Sequence, residues 1–260
     1  MAVAHTILAL GAPSVRLPIE SYASHVLSAA VRAARLEGKA VVEGFAWGDA
    51  WGDEEEARLS ELCASAPPLL CIERAGEAAD GECRTMRGEP MGRVAHGLHA
   101  LLDRAGRSVA IGDGGNELGL GLLYEQICDT IPLGEQIGCV RAADAVLVAS
   151  VSNWGGYALS CALSLLAWDS AARSPDIDAL GQRASDPSAF LACTVLDTDI
   201  GCAVIRAINE AGAVDGITGA GNGEVDGLPL SKQKDVMNEL LQIARETMER
   251  SPRGAAFPQG

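Results

Sequence analysis

The stretch Ser108-Val-Ala-Ile-Gly-Asp-Gly-Gly-Asn-Glu117 joins a short apolar run to an acidic, glycine-rich turn. An apolar run of this length predicts a buried strand, here residues 108–112. Asp113, Asn116 and Glu117 follow it directly, so their side chains are expected at the carboxyl end of the strand. In α/β proteins, that edge of the sheet is where ligands bind.

Four further apolar runs extend this pattern along the chain. We predict strands at residues 3–10, 39–43, 69–73 and 145–150. Apolar residues at helical spacing, or an acidic start, predict helices at 25–36, from 53 onward, at 91–105 and from the glycines at 155–156 to about 168. This alternation predicts an α/β fold with a mainly parallel sheet covered by helices on both faces and a ligand site at the strand carboxyl ends.

The chain length and two unusual segments bear on domain organisation. Residues 1–260 are interpreted as a single domain, since this length is enough to bury one large core. Residues 173–188 are rich in Pro, Asp and Ser and are interpreted as a surface excursion. The apolar segment 142–168 is interrupted at its centre by Ser152-Asn-Trp-Gly-Gly156, so we interpret it as strand, turn and helix rather than as a membrane span.

Charge and cysteine usage narrow the partners and the compartment. The formal net charge is −15, which repels nucleic acids and anionic membrane surfaces. The eight cysteines are scattered singly, as is typical of reduced thiols in a cytosolic protein. The N-terminus has no signal-peptide pattern. We expect a cytoplasmic protein with no nucleic-acid or membrane partner, and the sequence is compatible with a homo-oligomer.

The glycine turn has two interpretations. Asp113, Asn116 and Glu117 present the oxygen ligands that Mg²⁺ or Mn²⁺ prefers, and the glycines let the backbone bend around a cation. Alternatively, Asp113 or Asn116 caps a helix that starts at Glu117 and has no other role. Composition alone does not separate the two.

A second polar turn follows the predicted strand at 145–150. In Ser150-Val-Ser-Asn-Trp-Gly-Gly-Tyr157, the hydroxyl, amide and glycine backbone groups stand at a predicted helix start, where exposed N–H groups suit a carboxylate. Ser152, Asn153 and Gly155 are therefore candidate substrate-binding residues. The alternative is a purely structural strand-to-helix turn.

Arginines and histidines supply further candidates. Arg74 or Arg87 would suit bidentate binding of a substrate carboxylate, whereas Arg74 paired with Glu73 at the surface would contribute little. His96 and His99 share a predicted helix face, but no carboxylate stands beside them in a known metal motif. We therefore assign the histidines packing or solvent-facing roles. A cysteine nucleophile has no sequence context here.

Seven motifs, taken in order, resemble those of the D-glutamate cyclase family over about residues 7–240. They are Ile72-Glu-Arg-Ala-Gly76, Ala79-Asp-Gly81, Met86-Arg-Gly88, Ile111-Gly-Asp-Gly-Gly-Asn-Glu-Leu-Gly119, Val151-Ser-Asn-Trp-Gly-Gly-Tyr-Ala-Leu159, Val214-Asp-Gly-Ile-Thr-Gly219 and Val225-Asp-Gly-Leu-Pro229. The resemblance is to the C-terminal domain of mitochondrial members and to free-standing bacterial ones. It implies a metal-binding α/β fold and the dehydrating cyclisation of D-glutamate to 5-oxo-D-proline.

The resemblance also implies roles for individual residues. The implied ligands of a divalent metal, Mn²⁺ or Mg²⁺, are Glu20, Asp113, Asn116 and Glu117. The implied catalytic residues are Glu73, Asp80, Asp113 and Glu117, with the division into acid and base left open. The implied contacts to an amino-acid substrate are Arg74, Arg87, Ser152, Asn153 and Gly155.

One segment departs from the family pattern. Where the family has an acidic Glu-Thr-Asp-Gly loop after its first strand, this chain has Pro18-Ile-Glu-Ser-Tyr-Ala23, which keeps Glu20 but not the aspartate and glycine. The substrate therefore stays open. A metal-dependent hydrolase of phosphate esters or amides, and a protein that binds a metal or an amino acid without chemistry, are the alternatives.

Overall fold

The computed structural model describes residues 1–171 and 186–250 and shows an α/β protein. The chain divides into two compact units, each assembled from separate segments. Unit 1 comprises Met1–Leu17, His25–Val42 and the chain from Gly156 onward, and unit 2 comprises Pro18–Ser24 and Glu43–Gly155. The interpretation of residues 1–260 as one domain stays a prediction.

The strands form two small sheets. They are β1 (Val15–Glu20), β2 (Ala40–Phe45), β3 (Pro68–Ile72), β4 (Arg107–Gly112) and β5 (Ala145–Val148). β1 lies beside β2, and the second sheet has the order β3-β4-β5 with both pairs parallel. The predicted strands at 39–43, 69–73, 108–112 and 145–150 are confirmed as β2 to β5. The prediction of one larger sheet is wrong, because the strands separate into sheets of two and three.

The helices account for most of the remaining described residues. They are α1 (Ala2–Ala9), α2 (Ser24–Ala33), α3 (Asp53–Cys63), α4 (Ala100–Arg104), α5 (Tyr124–Thr130), α6 (Gly134–Ile137), α7 (Ser152–Ala171), α8 (Pro187–Thr194), α9 (Thr198–Glu210) and α10 (Leu230–Arg250). Short 3-10 helices lie at Ser21–Ala23, Gly48–Ala50, His96–His99 and Gly121–Leu123.

The prediction of a strand at residues 3–10 is wrong, because this segment is helix α1. Its sequence is apolar at nearly every position, and such a run does not separate a buried strand from a buried helix by periodicity. Alanines at positions 2, 4 and 9 favour the helix. The strand comes later, as β1, and includes Pro18, Ile19 and Glu20, which the sequence placed in a loop.

The predicted helix at 91–105 is shorter than expected. Its first turn is absent: Met91 instead donates its N–H to the Cys83 carbonyl at 2.8 Å, and Ala95 donates its N–H to the Glu20 carboxylate at 2.9 Å. These long-range hydrogen bonds replace the helical ones. Helical structure begins only with the 3-10 helix at His96, and the α-helix begins at Ala100. The predicted helices starting near 25 and 53 are confirmed as α2 and α3, and the helix predicted from residues 155–156 is confirmed as α7, which begins earlier, at Ser152.

The region predicted as a surface excursion lies mostly outside the described residues. Its last residues are described, and Pro187 begins α8, capped by Asp186. Pro187–Glu210 is long and apolar enough to cross a membrane by length and composition, with a mean hydropathy of 1.6. This segment is interrupted between α8 and α9. Of its 18-residue apolar window, 56% is buried in the protein, as expected for core helices.

Each unit has its own apolar packing. In unit 1, α7, α8 and α10 share a cluster around Trp168 and Phe190, and α1, α2 and β2 share another around Leu8 and Leu36. In unit 2, Ala110 of β4 packs with residues of β3, α4 and α5. The three-stranded sheet is therefore held against helices, and the carboxyl ends of its strands share one edge because the strands are parallel.

The first turn of α7 approaches this sheet closely. A Cβ atom added to Gly155 would lie 2.6 Å from Ile111 Cγ2 and 2.8 Å from Leu147 Cδ2. Such distances are too short for carbon atoms, so a glycine is required for α7 to start beside β4 and β5. The position of Ser152 at the strand ends depends on this packing.

We predict that Gly155→Ala destabilises the protein. Alanine favours a helix by up to about 1 kcal/mol relative to glycine, but overpacking against Ile111 and Leu147 costs typically 1–3 kcal/mol. The net loss should lower the urea midpoint of unfolding. Gly92→Ala is the matched control, since a Cβ there meets nothing within 4 Å, and its effect should stay within about 0.5 kcal/mol. Equal midpoints for the two variants would contradict the packing role.

Candidate functional site

The carboxyl edge of the three-stranded sheet brings three carboxylates together. Glu73 follows β3 and Asp113 follows β4. Glu73 has a φ of 53°, in the left-handed region, and donates its N–H to the Ile111 carbonyl at 3.1 Å. One carboxylate oxygen from each of Glu73, Asp113 and Glu117 lies within 4.8 Å of the others. We call these three residues the carboxylate group.

Glu117 is held by the backbone of the glycine turn. Its Oε1 accepts hydrogen bonds from the N–H groups of Asp113 and Gly114 at 2.8 and 2.7 Å, and its Oε2 accepts one from Gly115 at 2.6 Å. The side chain is almost fully buried. Gly115 has a φ of 101°, which glycine adopts without strain. The turn is therefore wrapped around the carboxylate of its own last residue, and no helix starts at Glu117.

Asp113 stands between this turn and α7. Its Oδ2 accepts a hydrogen bond from the Ser152 N–H at 2.8 Å. Burial and the neighbouring Glu117 carboxylate raise the pKa of Asp113 above its usual range, although the Ser152 N–H opposes this effect. Asp113 is therefore protonated more readily than an exposed aspartate.

The carboxylate group fits a hard divalent cation. Mg²⁺ and Mn²⁺ prefer carboxylate oxygens, and the raised pKa of Asp113 shows that the site would gain from a positive charge. Glu117 already accepts three N–H bonds, which leaves roughly one of its four acceptor positions for a metal. Asp113 would therefore supply more of the coordination than Glu117.

The remaining implied metal ligands lie outside the carboxylate group. Asn116 uses its side-chain N–H to donate to the Arg84 carbonyl at 2.7 Å. Glu20 is paired with Arg74, with N–O distances of 2.8 and 3.3 Å. Although burial opposes it, Arg74 and the Ala95 N–H lower the pKa of Glu20. The structure thus ties Glu20 and Arg74 to each other, and their roles as metal ligand and substrate ligand stay predictions.

The other predicted catalytic and binding residues differ in exposure. Asp80 is half-exposed and forms an ion pair with Arg84. Arg87 is exposed and is adjacent to Met86, whose Sδ lies 2.6 Å from the position a Gly114 Cβ would occupy. Asn153 is the second residue of α7 and is half-buried. Arg87 therefore lies near the glycine turn and has no ion pair to a described residue. The charge of Asp80 is instead neutralised by Arg84.

The motifs near residues 215 and 225 form one loop in unit 1. The buried Asp215 carboxylate accepts N–H bonds from Ile217, Thr218 and Gly227 at 2.7–3.1 Å. Burial opposes ionisation, but these N–H groups lower the pKa of Asp215. The aspartate therefore organises the loop.

A second polar cluster in unit 2 was not predicted. Glu77 accepts a hydrogen bond from Arg141 Nε at 2.7 Å, and its Oε1 lies 3.1 Å from His99 Nδ1 and 3.5 Å from His96 Nδ1. Burial and Arg74 lower the pKa of His99 to about 4, although Glu77 opposes this. The sequence shows no carboxylate beside the histidines in a known metal motif, but in the structure Glu77 lies beside both. No local motif links these residues, because they come from separate segments.

Comparison with known proteins agrees with the resemblance seen in the motifs. A family model described as "D-glutamate cyclase-like, C-terminal" matches residues 1–241. The chain belongs to this family. It is also similar to human "D-glutamate cyclase, mitochondrial", with 35% identity over an alignment of 209 residues that covers 74% of this chain and 33% of the human protein.

Membership of the D-glutamate cyclase-like family gives the carboxylate group a chemical context. The chain spans about a third of the length of the human relative, so the activity of that whole protein does not transfer directly. Glu73, Asp113 and Glu117 lie within the matched region.

We predict different effects for two charge-neutralising substitutions in the carboxylate group. Glu117→Gln places an amide NH₂ where backbone N–H groups point, so it should cost about 2 kcal/mol of unfolding free energy. Asp113→Asn keeps an oxygen for the Ser152 N–H and should leave stability unchanged or raised, while weakening Mn²⁺ binding by more than the roughly 10-fold typical of an outer-shell change. Urea unfolding and calorimetric Mn²⁺ titration measure the two effects.

The exposed Glu61 of α3 provides the control for removing one charge. Glu61→Gln should change stability by less than about 0.5 kcal/mol and leave Mn²⁺ binding intact. A Glu117→Gln variant as stable as Glu61→Gln would show that the turn does not depend on this carboxylate. Full Mn²⁺ affinity in Asp113→Asn would remove Asp113 from the metal site.

Proposed function

We propose that this protein is a metal-assisted hydro-lyase that closes an amino acid to a lactam, with D-glutamate as the substrate and 5-oxo-D-proline as the product. The observation that carries the proposal is the grouping of Glu73, Asp113 and Glu117 at one sheet edge in a member of the D-glutamate cyclase-like family. The name of the human relative supports the substrate.

The reaction makes two demands on the site. A bond forms between the α-nitrogen and the carbon of the γ-carboxylate, and a C–O bond of that same carboxylate breaks, releasing water. The carboxylate is a poor electrophile, and the α-ammonium is not a nucleophile until it loses a proton. A divalent cation held by Asp113 and Glu117 would supply Lewis-acid polarisation of the γ-carboxylate.

Glu73 is the better placed of the two predicted bases. It follows β3 directly, is exposed to solvent and has a carboxylate oxygen within 4.8 Å of oxygens of Asp113 and Glu117. As general base, Glu73 takes a proton from the ammonium and delivers it to the departing oxygen, and a second such transfer completes the water molecule. The carboxylate then returns to its starting state, so the proton count balances.

The substrate α-carboxylate needs a cationic or N–H-rich partner. Arg74 is committed to Glu20, so Arg87 is the predicted arginine that the structure leaves exposed near the glycine turn. The start of α7 at Ser152 and Asn153 adds the positive end of a helix dipole. Holding the α-carboxylate at one end and the γ-carboxylate at the other would fold the substrate toward its near-attack geometry.

We propose the cytoplasm as the compartment. All eight cysteines lie in the part of the chain that the structure describes, and each is a free thiol, which suits a reducing environment. The acidic surface, with its net charge of −15, supports a small-molecule substrate rather than nucleic acid or an anionic membrane. The proposed function is compatible with a homo-oligomer.

A product assay tests the proposed activity. Purified protein incubated with D-glutamate and Mn²⁺ should form 5-oxoproline, measured by chiral liquid chromatography and mass spectrometry. Chelator treatment or Asp113→Asn should abolish the product, and L-glutamate should react more slowly. No product from either enantiomer with Mn²⁺ bound would overturn the substrate assignment. Turnover of phosphate esters or amides alone would favour the hydrolase, and ligand-induced stabilisation without any product would favour a binding protein.

Arg87→Ala should raise KM for D-glutamate about 10-fold with a smaller change in kcat, because loss of a carboxylate contact worth about 1.4 kcal/mol weakens binding. Arg107→Ala is the matched control, since Arg107 is also exposed but begins β4, at the opposite end of that strand from Asp113. Steady-state kinetics on both variants distinguish the two positions. Equal kinetics for the variants would remove Arg87 from the substrate site.

A further inference from the structure

Three soft or borderline metal ligands meet in unit 2, apart from the carboxylate group. They are Cys83, His96 and His99, and one ligand atom from each lies within 4.8 Å of the other two. We call them the cysteine–histidine group. His96 and His99 are the first and last residues of one 3-10 helix, and Cys83 lies in a segment that pairs with Glu77 across an isolated bridge.

The burial of this group is unusual for its chemistry. Cys83 and His99 are both 0% exposed, whereas the His96 side chain is 41% exposed. Both ring nitrogens of His99 are buried and without a hydrogen bond to the residues that the structure describes, although Glu77 Oε1 lies 3.1 Å from Nδ1. A buried polar atom left without a partner costs about 1–3 kcal/mol, so its presence indicates a ligand at this position.

The surroundings of the histidines match those of metal-binding imidazoles. Histidine ligands commonly direct one ring nitrogen at a carboxylate, which fixes the tautomer and leaves the other nitrogen for the metal. Glu77 lies 3.1 Å from His99 Nδ1 and 3.5 Å from His96 Nδ1. Arg141 binds Glu77 at 2.7 Å and Asp103 at 2.7 Å. The orienting carboxylate is thus itself fixed in place.

The donor set selects a metal different from that of the carboxylate group. Thiolate and imidazole ligands favour Zn²⁺ over Mg²⁺ or Mn²⁺. Zinc bonds of about 2.0–2.3 Å place tetrahedral ligand atoms roughly 3.3–3.8 Å apart, so the group must contract by about 1 Å to close around the ion. His96, at the exposed end of its short helix, is the ligand that can make this movement.

We propose that Cys83, His96 and His99 form a zinc site, with Glu77 orienting the two histidines. Three protein ligands leave one of four coordination positions to water or a small molecule. The site would join the segment around Cys83 to the 3-10 helix that precedes α4. It does not depend on lactam chemistry at the carboxylate group.

Cobalt provides a direct probe, because Co²⁺ occupies zinc sites and gives a near-ultraviolet charge-transfer band only when a thiolate is bound. Metal-free full-length protein titrated with Co²⁺ should develop this band, and Zn²⁺ should abolish it at one equivalent. Binding of Co²⁺ at the carboxylate group adds no such band, so Asp113→Asn should leave it unchanged. Absence of the band in the unsubstituted protein would overturn the proposal.

Two variants locate the site, and a third controls for other thiols. Cys83→Ser should remove the band, and His96→Ala should weaken zinc binding by about 100-fold. Cys139→Ser is the matched control, since Cys139 is likewise 0% exposed and close enough to influence Cys83, and it should retain the band. If Cys83→Ser does not fold, as judged by circular dichroism, the zinc affinity of His96→Ala tests the site, because His96 is half-exposed. Unchanged zinc affinity in His96→Ala, or loss of the band in Cys139→Ser alone, would overturn the assignment.

Discussion

The carboxylate of Glu117 is the interaction on which the candidate site depends. It receives three backbone N–H groups from the turn that precedes it. These donors would otherwise be buried without partners, which is costly. Closing the turn also fixes the chain direction afterwards, because Leu118 then donates its N–H to the Arg74 carbonyl at 2.6 Å. One side chain thereby connects the end of β4 to the segment after β3 and sets the positions of Asp113 and Glu73.

The local sequence pattern was sufficient to predict those strands and helices that are specified by their own residues. β3, β4 and β5 are short apolar runs bounded by polar or glycine residues, and α3 starts at an acidic cluster that favours the positive end of a helix dipole. Helix α1 was misread because its residues are apolar on every face, which removes the periodicity. The prediction failed where two structures satisfy the same pattern.

The order of the parallel strands was enough to expect Glu73 and Asp113 at the same edge of the sheet. It did not predict the ion pairs that surround them. Glu73 and Asp113 were expected together because both follow parallel strands. Nothing local indicates that Glu20 would bind Arg74, or that Glu77 would lie beside His99, since each pair joins distant segments. Long-range ion pairs depend on how elements pack. The same limit explains why two histidines without a local motif proved to have a partly buried carboxylate and a cysteine as neighbours.

Electrostatics constrains the order in which ligands enter the carboxylate group. Two charges 4.8 Å apart repel by about 3 kcal/mol at an effective dielectric constant near 20. The backbone N–H groups offset part of this repulsion but carry no net charge, and the nearby cation Arg74 is already paired with Glu20. A glutamate substrate adds two carboxylates and one ammonium, so it increases the negative charge unless a divalent cation is present. In the proposed reaction, a cation that binds before the substrate would offset this charge.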